Sequence, residues 1–265
     1  MIVLAAGAAA YTLATLFLSP LLLGHGHWRI ARPRLCLGLW FVLFLSGLVA
    51  AVAAIGLAVA IGIEAHTAAT GDDWLVPTGG TVLAWVSLGL AGGLLSLVGT
   101  KVGAMIIAER RLRADFDRLI SAAGYRQEVI AGLSVHYINS PRPLACGLRG
   151  RAPLGSTAEI VISSGLTDRL SPAELRAIIE HERAHLRGRH DLATRLAALS
   201  CACLPAVLAS QELHRATQLL TELIADDAAA RRCGRDVTAS ALAKLSAAAG
   251  DQLMLLRAER LLPVP

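Results

Sequence analysis

Charged residues are scarce in this sequence. Asp, Glu, Lys and Arg make up 17% of the 265 residues, whereas a soluble protein usually has about 25%. Apolar residues fill the deficit, because they make up 55% of the chain and give a mean hydropathy of +0.57. This balance argues against an ordinary soluble protein and predicts a membrane protein.

Cysteine is also scarce, and its placement excludes a disulfide framework. The five cysteines are odd in number and scattered along the chain. Cys201 and Cys203 are separated by a single residue, which is not the spacing of a zinc ribbon. The sequence therefore predicts that these two cysteines act as small, buried apolar residues, and it leaves the role of Cys146 undecided.

The net charge of +5 does not by itself predict a nucleic-acid partner. Arginines cluster beside the apolar segments: Arg29, Arg32, Arg34, Arg110, Arg111 and Arg113. Placement at membrane edges explains the positive charge more simply than nucleic-acid binding does. We expect a lipid bilayer as a partner and no direct contact with nucleic acid.

Three apolar segments, at about residues 1–23, 36–63 and 81–107, are long enough to cross a bilayer. The first lacks the basic start and the clear cleavage site of a signal peptide. The loop after the second contains Asp72 and Asp73 but no Lys or Arg, whereas arginines follow the first and third segments. The positive-inside rule therefore predicts a multi-pass protein of the cell membrane, with its N-terminus outside and everything after residue 108 in the cytoplasm.

The sequence thus predicts a transmembrane region at 1–108 and a cytoplasmic domain at 109–265. Residues 109–133 have the pattern of an amphipathic helix, and short strand-like runs follow, one of them around Ile160, Val161 and Ile162. The expected fold class is a mainly α membrane protein with a small β-hairpin or sheet.

A helix is predicted at residues 171–191. Ser171 suits the N-cap, Pro172 suits the first helical position, and Glu174 completes a capping box. Apolar residues at helical spacing form one face of this helix: Leu175, Ile178, Ile179 and Leu186.

His181, Glu182 and His185 lie on this helix in the pattern H-E-x-x-H. The histidines are one turn apart, so both imidazoles lie on one face and can reach a single Zn²⁺. Glu182 suits a general base that activates water. The pattern fixes only three positions and can arise by chance on a charged helix, so it requires a third ligand as support.

A later helical segment, T-E-L-I-A-D-D-A-A-A, offers that ligand. Glu222 can bind the metal, and Asp226, four residues later, can accept a hydrogen bond from the far nitrogen of a ligating histidine. Asp227 and Glu212 are other possible oxygen ligands, although the spacing to Asp226 favours Glu222.

The apolar segment at about 192–210 lies between the histidines and Glu222. A full crossing of the membrane there would place Glu222 on the other side from the histidines. Either this segment does not cross the membrane or it re-enters as a hairpin. We favour a buried or membrane-associated helix that ends at the face where it began, and Pro205 permits a kink in it.

The runs S-P-A-E-L-R-A-I-I-E-H-E-R-A-H and E-L-I-A-D resemble the gluzincin peptidases of membranes, which include the HtpX and CAAX-protease type and the BlaR/MecR type. The resemblance, closest to the BlaR/MecR type, covers about residues 135–260. It implies a helical zinc-peptidase domain in which His181, His185 and Glu222 bind Zn²⁺, Glu182 is catalytic and Asp226 orients a ligand.

The resemblance also implies that the strand before the zinc helix, at Ile160, Val161 and Ile162, borders the cleft. Such a strand pairs with an extended peptide by main-chain hydrogen bonds. The simpler alternative is a structural hairpin packed on the zinc helix. Tyr137, His214 or an arginine could stabilise the oxyanion, and the spacing does not choose among them.

By resemblance, the expected function is that of an integral membrane zinc endopeptidase that cleaves a cytoplasmic repressor of the BlaI type and so switches on transcription. One alternative is a quality-control peptidase of the HtpX type, which acts on membrane proteins. Another is a non-catalytic signalling subunit whose structural metal site is closed by His190. His190 follows His185 by five residues and is therefore predicted to point away from the ligand face. No S-x-x-K motif is present, so no β-lactam sensor that acylates at such a serine is expected.

Overall fold

The computed structural model describes residues 1–24, 26–67, 75–130, 132–148 and 158–262. Asp72 and Asp73, which entered the argument on membrane orientation, lie outside these ranges. The described helices and strands follow in chain order: α1 (Ile2–Leu23), α2 (Trp28–Ala31), α3 (Pro33–Thr67), α4 (Leu75–Ala123), β1 (Gly124–Ile130), β2 (Leu133–Ile138), β3 (Ala145–Leu148), β4 (Glu159–Ser163), α5 (Ser164–Thr167), α6 (Pro172–Gly188), α7 (His190–Cys203), α8 (Leu208–Cys233), α9 (Arg235–Ala249) and α10 (Gln252–Leu261).

Three helices are long and apolar enough to cross a membrane: Ile2–Leu23, Pro33–Thr67 and Thr78–Ala123. They confirm the prediction of three long N-terminal apolar helices in a mainly α protein with a small sheet. The second has 35 residues, which corresponds to about 52 Å of helix. A bilayer core is only about 30 Å thick, so this helix is longer than a crossing requires.

The third long helix, α4, runs unbroken for 49 residues and ends at Ala123. The expectation that residues 109–133 are helical is therefore wrong beyond Ala123, because Gly124–Ile130 form strand β1. Pairing explains the difference, since β1 runs antiparallel to β2 from Gly124 opposite Ile138 to Ile130 opposite Leu133. Gly132, with a φ of 81°, adopts a left-handed conformation beside Leu133 that glycine favours.

The chain divides into two compact units. The first comprises Met1–Met105 and Arg195–Gln218, and the second comprises Ile106–Thr194 and Leu219–Pro265. The contacts thus group part of the predicted 192–210 segment with the three long helices. The N-terminal segment of the first unit ends at Met105, close to the proposed division at residue 108, and the assignment of a transmembrane region and a cytoplasmic domain stays a prediction.

The apolar segment at 192–210 is not the single helix that the sequence suggested. Helix α7 ends at Cys203 and α8 begins at Leu208. The facing ends of the two helices are joined by a hydrogen bond of 2.7 Å between the hydroxyls of Ser200 and Ser210. The chain therefore reverses around Leu204–Val207, where Pro205 cannot continue the hydrogen bonding of a helix.

The second unit contains a four-stranded sheet in the order β1-β2-β4-β3. Strand β4 runs parallel to β2 and antiparallel to β3. One face of the sheet packs its buried residues Val135, Ile160 and Ile162 against Ile178 and Ile179 of α6. The sheet therefore supports the helix that carries the H-E-x-x-H pattern.

The opposite face of the sheet packs against the end of α4. Ile138, Leu148 and Val161 form a buried cluster there with Phe116 and Leu119. Arg113 of α4 also donates a hydrogen bond of 2.6 Å to Glu159 at the start of β4.

The assignment of Ile160, Val161 and Ile162 to a substrate-pairing strand is not supported. All three residues are fully buried, and each is paired with β2 on one side and with β3 on the other. Their main-chain groups are thus engaged within the sheet. Among the described residues, β1 and β3 each pair with a strand on one edge only, so the open edge beside β4 belongs to β3, Ala145–Leu148.

Candidate metal centre

Helix α6 begins as its sequence predicts. The hydroxyl of Ser171 accepts the N–H of Glu174, and the Glu174 carboxylate accepts the N–H of Ser171 at 2.7 Å, which completes the capping box. Ser240 and Lys244 of α9 donate to the same carboxylate at 2.7 and 2.8 Å. The start of the helix is thus fixed both by its own cap and by α9.

His181, His185 and Glu222 converge in the second unit. The Nε2 atoms of the two histidines are 3.1 Å apart, and they lie 3.4 and 3.3 Å from the two carboxylate oxygens of Glu222. Their donor atoms all lie within 4.8 Å of one another. Two imidazole nitrogens and a carboxylate are a donor set that suits Zn²⁺ and leaves a fourth position for water.

Asp226 lies behind the first histidine of this cluster. Its Oδ1 is 3.0 Å from Nδ1 of His181, on the side of the ring away from Glu222. The side chain of Asp226 is fully buried, and Arg257 donates two hydrogen bonds of 2.8 Å to it. Asp226 is thus held in the place where an acid can orient a ligating histidine.

Arg257 of α10 is a functional residue that the sequence analysis did not single out. Its Nη1 lies 2.9 Å from Glu222, so one guanidinium contacts both acids of the site. It lies 31 residues after Asp226 in an Ala- and Leu-rich segment without a recognisable motif. Helix α10 also contains Glu259 and Arg260, so no signal in the sequence singled out Arg257.

The charges of these groups depend on one another. Burial alone would lower the pKa of His181, but Asp226 and Glu222 outweigh it and raise that pKa to about 9. Burial alone would raise the pKa of Glu222, but His181 and His185 outweigh it and hold that pKa well below its usual range. A ligating histidine must give up this proton, so protons compete with metal for the site.

Glu182 lies next to the cluster and is oriented by the sheet. Its Oε2 accepts the N–H of Gly147 in β3 at 2.9 Å. A Cβ at residue 147 would be 3.1 Å from the side chain of Leu186, so glycine allows α6 to lie close to β3. The catalytic candidate is therefore positioned by the main chain of the open-edged strand.

Cys146, whose role the sequence left undecided, lies in the same strand. It packs with Ile138 and Val161 on the α4 side of the sheet. Burial, and secondly the negative charge of Glu182, raise the pKa of Cys146 to about 11. A neutral thiol is neither a nucleophile nor a metal ligand.

His190 lies behind the second histidine of the cluster. Its Nδ1 is 3.1 Å from Nδ1 of His185, on the side of that ring away from the donor atoms. The structure thus does not place His190 among the converging donors, although it brings it closer to the site than sequence spacing suggested. Helix α6 ends at Gly188, and Arg189 with a φ of 50° turns the chain back.

The other candidates lie in different contacts. Asp227 accepts a hydrogen bond of 2.6 Å from Arg260, and Glu212 accepts one of 2.7 Å from Arg215. Tyr137 is buried in the core between the sheet and α6. None of the three belongs to the group of convergent donors found in the described part of the chain.

A cleft of about 250 Å³ opens at the cluster. Its polar wall is formed by His181, Glu182, Glu222 and Arg257, and its apolar wall includes Pro143, Leu144, Ala145, Ile178, Leu242 and Met254. The beginning of the open-edged strand β3 thus borders the donor cluster.

A model of peptidase family M48 matches residues 107–251, which is more than half of the chain. No curated protein and no solved structure matches the chain.

Proposed function

The chain belongs to peptidase family M48 and is a metallopeptidase, and from this premise we propose that it is a membrane-bound, zinc-dependent endopeptidase. The observation that carries the proposal is the convergence of His181, His185 and Glu222 beside the carboxylate of Glu182. The three long apolar helices supply the means of membrane attachment.

His181, His185 and Glu222 would hold the metal. Zn²⁺, when bound there, supplies a Lewis acid that polarises a carbonyl and lowers the pKa of water. Asp226 fixes the orientation of His181, and Arg257 fixes Asp226 and Glu222 in turn.

Glu182 performs the proton transfers in this proposal. Its carboxylate takes the proton of the water that attacks the scissile carbonyl, and it then delivers that proton to the leaving amine. The N–H of Gly147 orients one carboxylate oxygen at 2.9 Å. The other carboxylate oxygen of Glu182 is then left to accept the proton.

Strand β3 is the proposed binding edge for the substrate main chain, in place of the buried β4. The N–H of Gly147 points away from β4, because it binds Glu182. The N–H of Ala145, two residues earlier, points to the same side of the strand. An extended peptide could therefore pair with Ala145 at the mouth of the cleft. Extended pairing suits cleavage within a chain rather than removal of a terminal residue.

The proposal is tested by incubating the detergent-purified protein with casein and by sequencing the products by mass spectrometry. We expect internal cleavages that stop with a zinc chelator and resume when Zn²⁺ is added back. Products trimmed only from one end would contradict the endopeptidase assignment, and cleavage that survives full removal of metal would contradict the metal assignment.

For the natural substrate we propose a cytoplasmic repressor of the BlaI type. The support is the resemblance of the zinc-helix motifs to the BlaR/MecR type and the charge pattern that favours a cytoplasmic domain. Co-expression with such a repressor and, separately, with a membrane-protein substrate tests this choice. Cleavage of only the membrane protein would favour the quality-control alternative.

A further inference from the structure

His190 has no role in the proposed catalytic set, although it contacts one of the ligand candidates. Its side chain is buried, and its Nδ1 lies 3.1 Å from Nδ1 of His185. The two rings meet edge to face, with centroids 4.9 Å apart and planes 89° from parallel. This arrangement directs a nitrogen of each ring at the other.

The hydrogen bonding of this pair follows from the metal-binding role proposed for Nε2 of His185. That atom faces His181 and Glu222 and must be unprotonated to bind a metal. The neutral ring of His185 then carries its proton on Nδ1, which points at His190. For His190 to accept it, His190 must have a lone pair on Nδ1 and its own proton on Nε2.

We propose that His190 is a positioning residue that accepts the Nδ1 proton of His185 and so holds Nε2 of His185 in the metal centre. This inference rests on the proposed function, because it requires that the cluster binds metal. The two ligating histidines would then be oriented by different groups: His181 by the carboxylate of Asp226, and His185 by the neutral ring of His190.

The chain around His190 is shaped to hold the ring in this place. A Cβ on Gly188 would collide with the imidazole of His190, so glycine leaves the space that the ring occupies. Arg189 adopts a φ of 50°, which reverses the chain between the end of α6 and the start of α7. Without that reversal, a continuing helix would carry residue 190 away from the face of His185.

The test compares the zinc affinities of four variants with that of the full-length protein in detergent, by competition with a chromophoric chelator. His190→Ala should weaken zinc binding about 10- to 100-fold, the usual effect of removing such a partner. His190→Asn should recover most of the loss, because its amide oxygen can take the place of Nδ1 as acceptor. His136→Ala, which removes a histidine from β2, is the matched control and should bind zinc as the wild type does.

Gly188→Ala tests the same contact without changing His190. Alanine favours a helix more than glycine does, so a general weakening of α6 cannot explain a loss of affinity. We expect the affinity for zinc to fall, because the new methyl group displaces the ring of His190.

Melting of the metal-free protein separates positioning from packing. Both His190 substitutions remove a buried ring and should lower the melting temperature, whereas only His190→Ala should lose zinc affinity strongly. Equal losses of affinity in His190→Ala and His190→Asn, or unchanged affinity in His190→Ala, would overturn the inference. A wild type that binds no zinc would overturn the proposed function itself, and the inference with it.

Discussion

Asp226 is the most buried charged group of the metal centre, and Arg257 is its counterion. The carboxylate is fully buried and receives two hydrogen bonds from the guanidinium. Asp226 was predicted from its spacing to Glu222, since residues four apart share a helix face. Arg257 could not be predicted, because only the folded chain brings α10 to α8.

Arg257→Ala should destabilise the metal-free protein by about 3 kcal/mol, because it leaves the buried carboxylate of Asp226 with only His181 beside it. The matched control is Arg260→Ala, which removes the neighbouring pair with Asp227, whose side chain is 30% exposed. That change should cost about 1 kcal/mol or less. Thermal melting of the two variants measures the difference, and equal effects would contradict the account of Asp226.

Arg189 is the one non-glycine residue with a positive φ in the described part of the chain. A left-handed conformation costs an ordinary residue about 1–2 kcal/mol, and glycine avoids this cost. Arg189→Gly should therefore raise the melting temperature or leave it unchanged, whereas Arg187→Gly within α6 should lower it. A clear drop for Arg189→Gly would show that its side chain stabilises the turn in another way.

At the scale of elements, local signals in the sequence predicted α6 well and β1 poorly. The capping box of Ser171 and Glu174 acts within one turn, so its outcome does not depend on the rest of the fold. Residues 124–130 continue a helical pattern, yet pairing with β2 makes them a strand. The open edge of β3 likewise depends on the order of strands in the sheet, which the sequence does not contain.

The carboxylate of Glu174 in the capping box predicts how the stability of the fold depends on pH. Burial would raise the pKa of Glu174, but hydrogen bonds from Lys244, Ser240 and Ser171 lower it from 4.5 to about 2. A carboxylate with a lowered pKa stabilises the fold above pH 4.5, and this contribution is lost as the pH falls towards 2.

Glu174→Gln keeps the cap but removes the charge. It should therefore lower stability by about 1–2 kcal/mol at neutral pH, an amount reduced by the exposure of Lys244. The difference in melting temperature from the wild type should shrink as the pH falls from 4.5 to about 2. Asp115→Asn, in an exposed pair with Arg118, should have little effect at any pH. A difference that does not depend on pH would contradict the assignment.

The open edge of β3 predicts a loss of substrate pairing when its N–H is removed. Ala145→Pro removes the N–H at the mouth of the cleft. That N–H points away from β4, so the hydrogen bonds between β3 and β4 should be kept. We expect kcat/KM for a long peptide to fall about tenfold, the equivalent of one hydrogen bond. Zinc content, measured on the same sample, should not change, and unchanged cleavage would contradict pairing at this edge.

At the scale of the whole molecule, orientation in the membrane remains a prediction from charge. Arginines beside the first and third apolar segments favour an N-terminus outside and the family M48 domain in the cytoplasm. Reporter domains fused after residue 32 and at the C-terminus should both report a cytoplasmic location. Activity of the C-terminal reporter outside would contradict the choice of a cytoplasmic repressor as substrate.

The central claim is that Glu222 binds the metal and Glu182 performs the proton transfers. The most direct measurement is zinc content together with casein cleavage for the wild type, Glu182→Gln and Glu222→Ala. We predict that Glu182→Gln keeps its zinc and loses cleavage, whereas Glu222→Ala loses both. Full zinc content in Glu222→Ala, or normal cleavage by Glu182→Gln, would contradict the account.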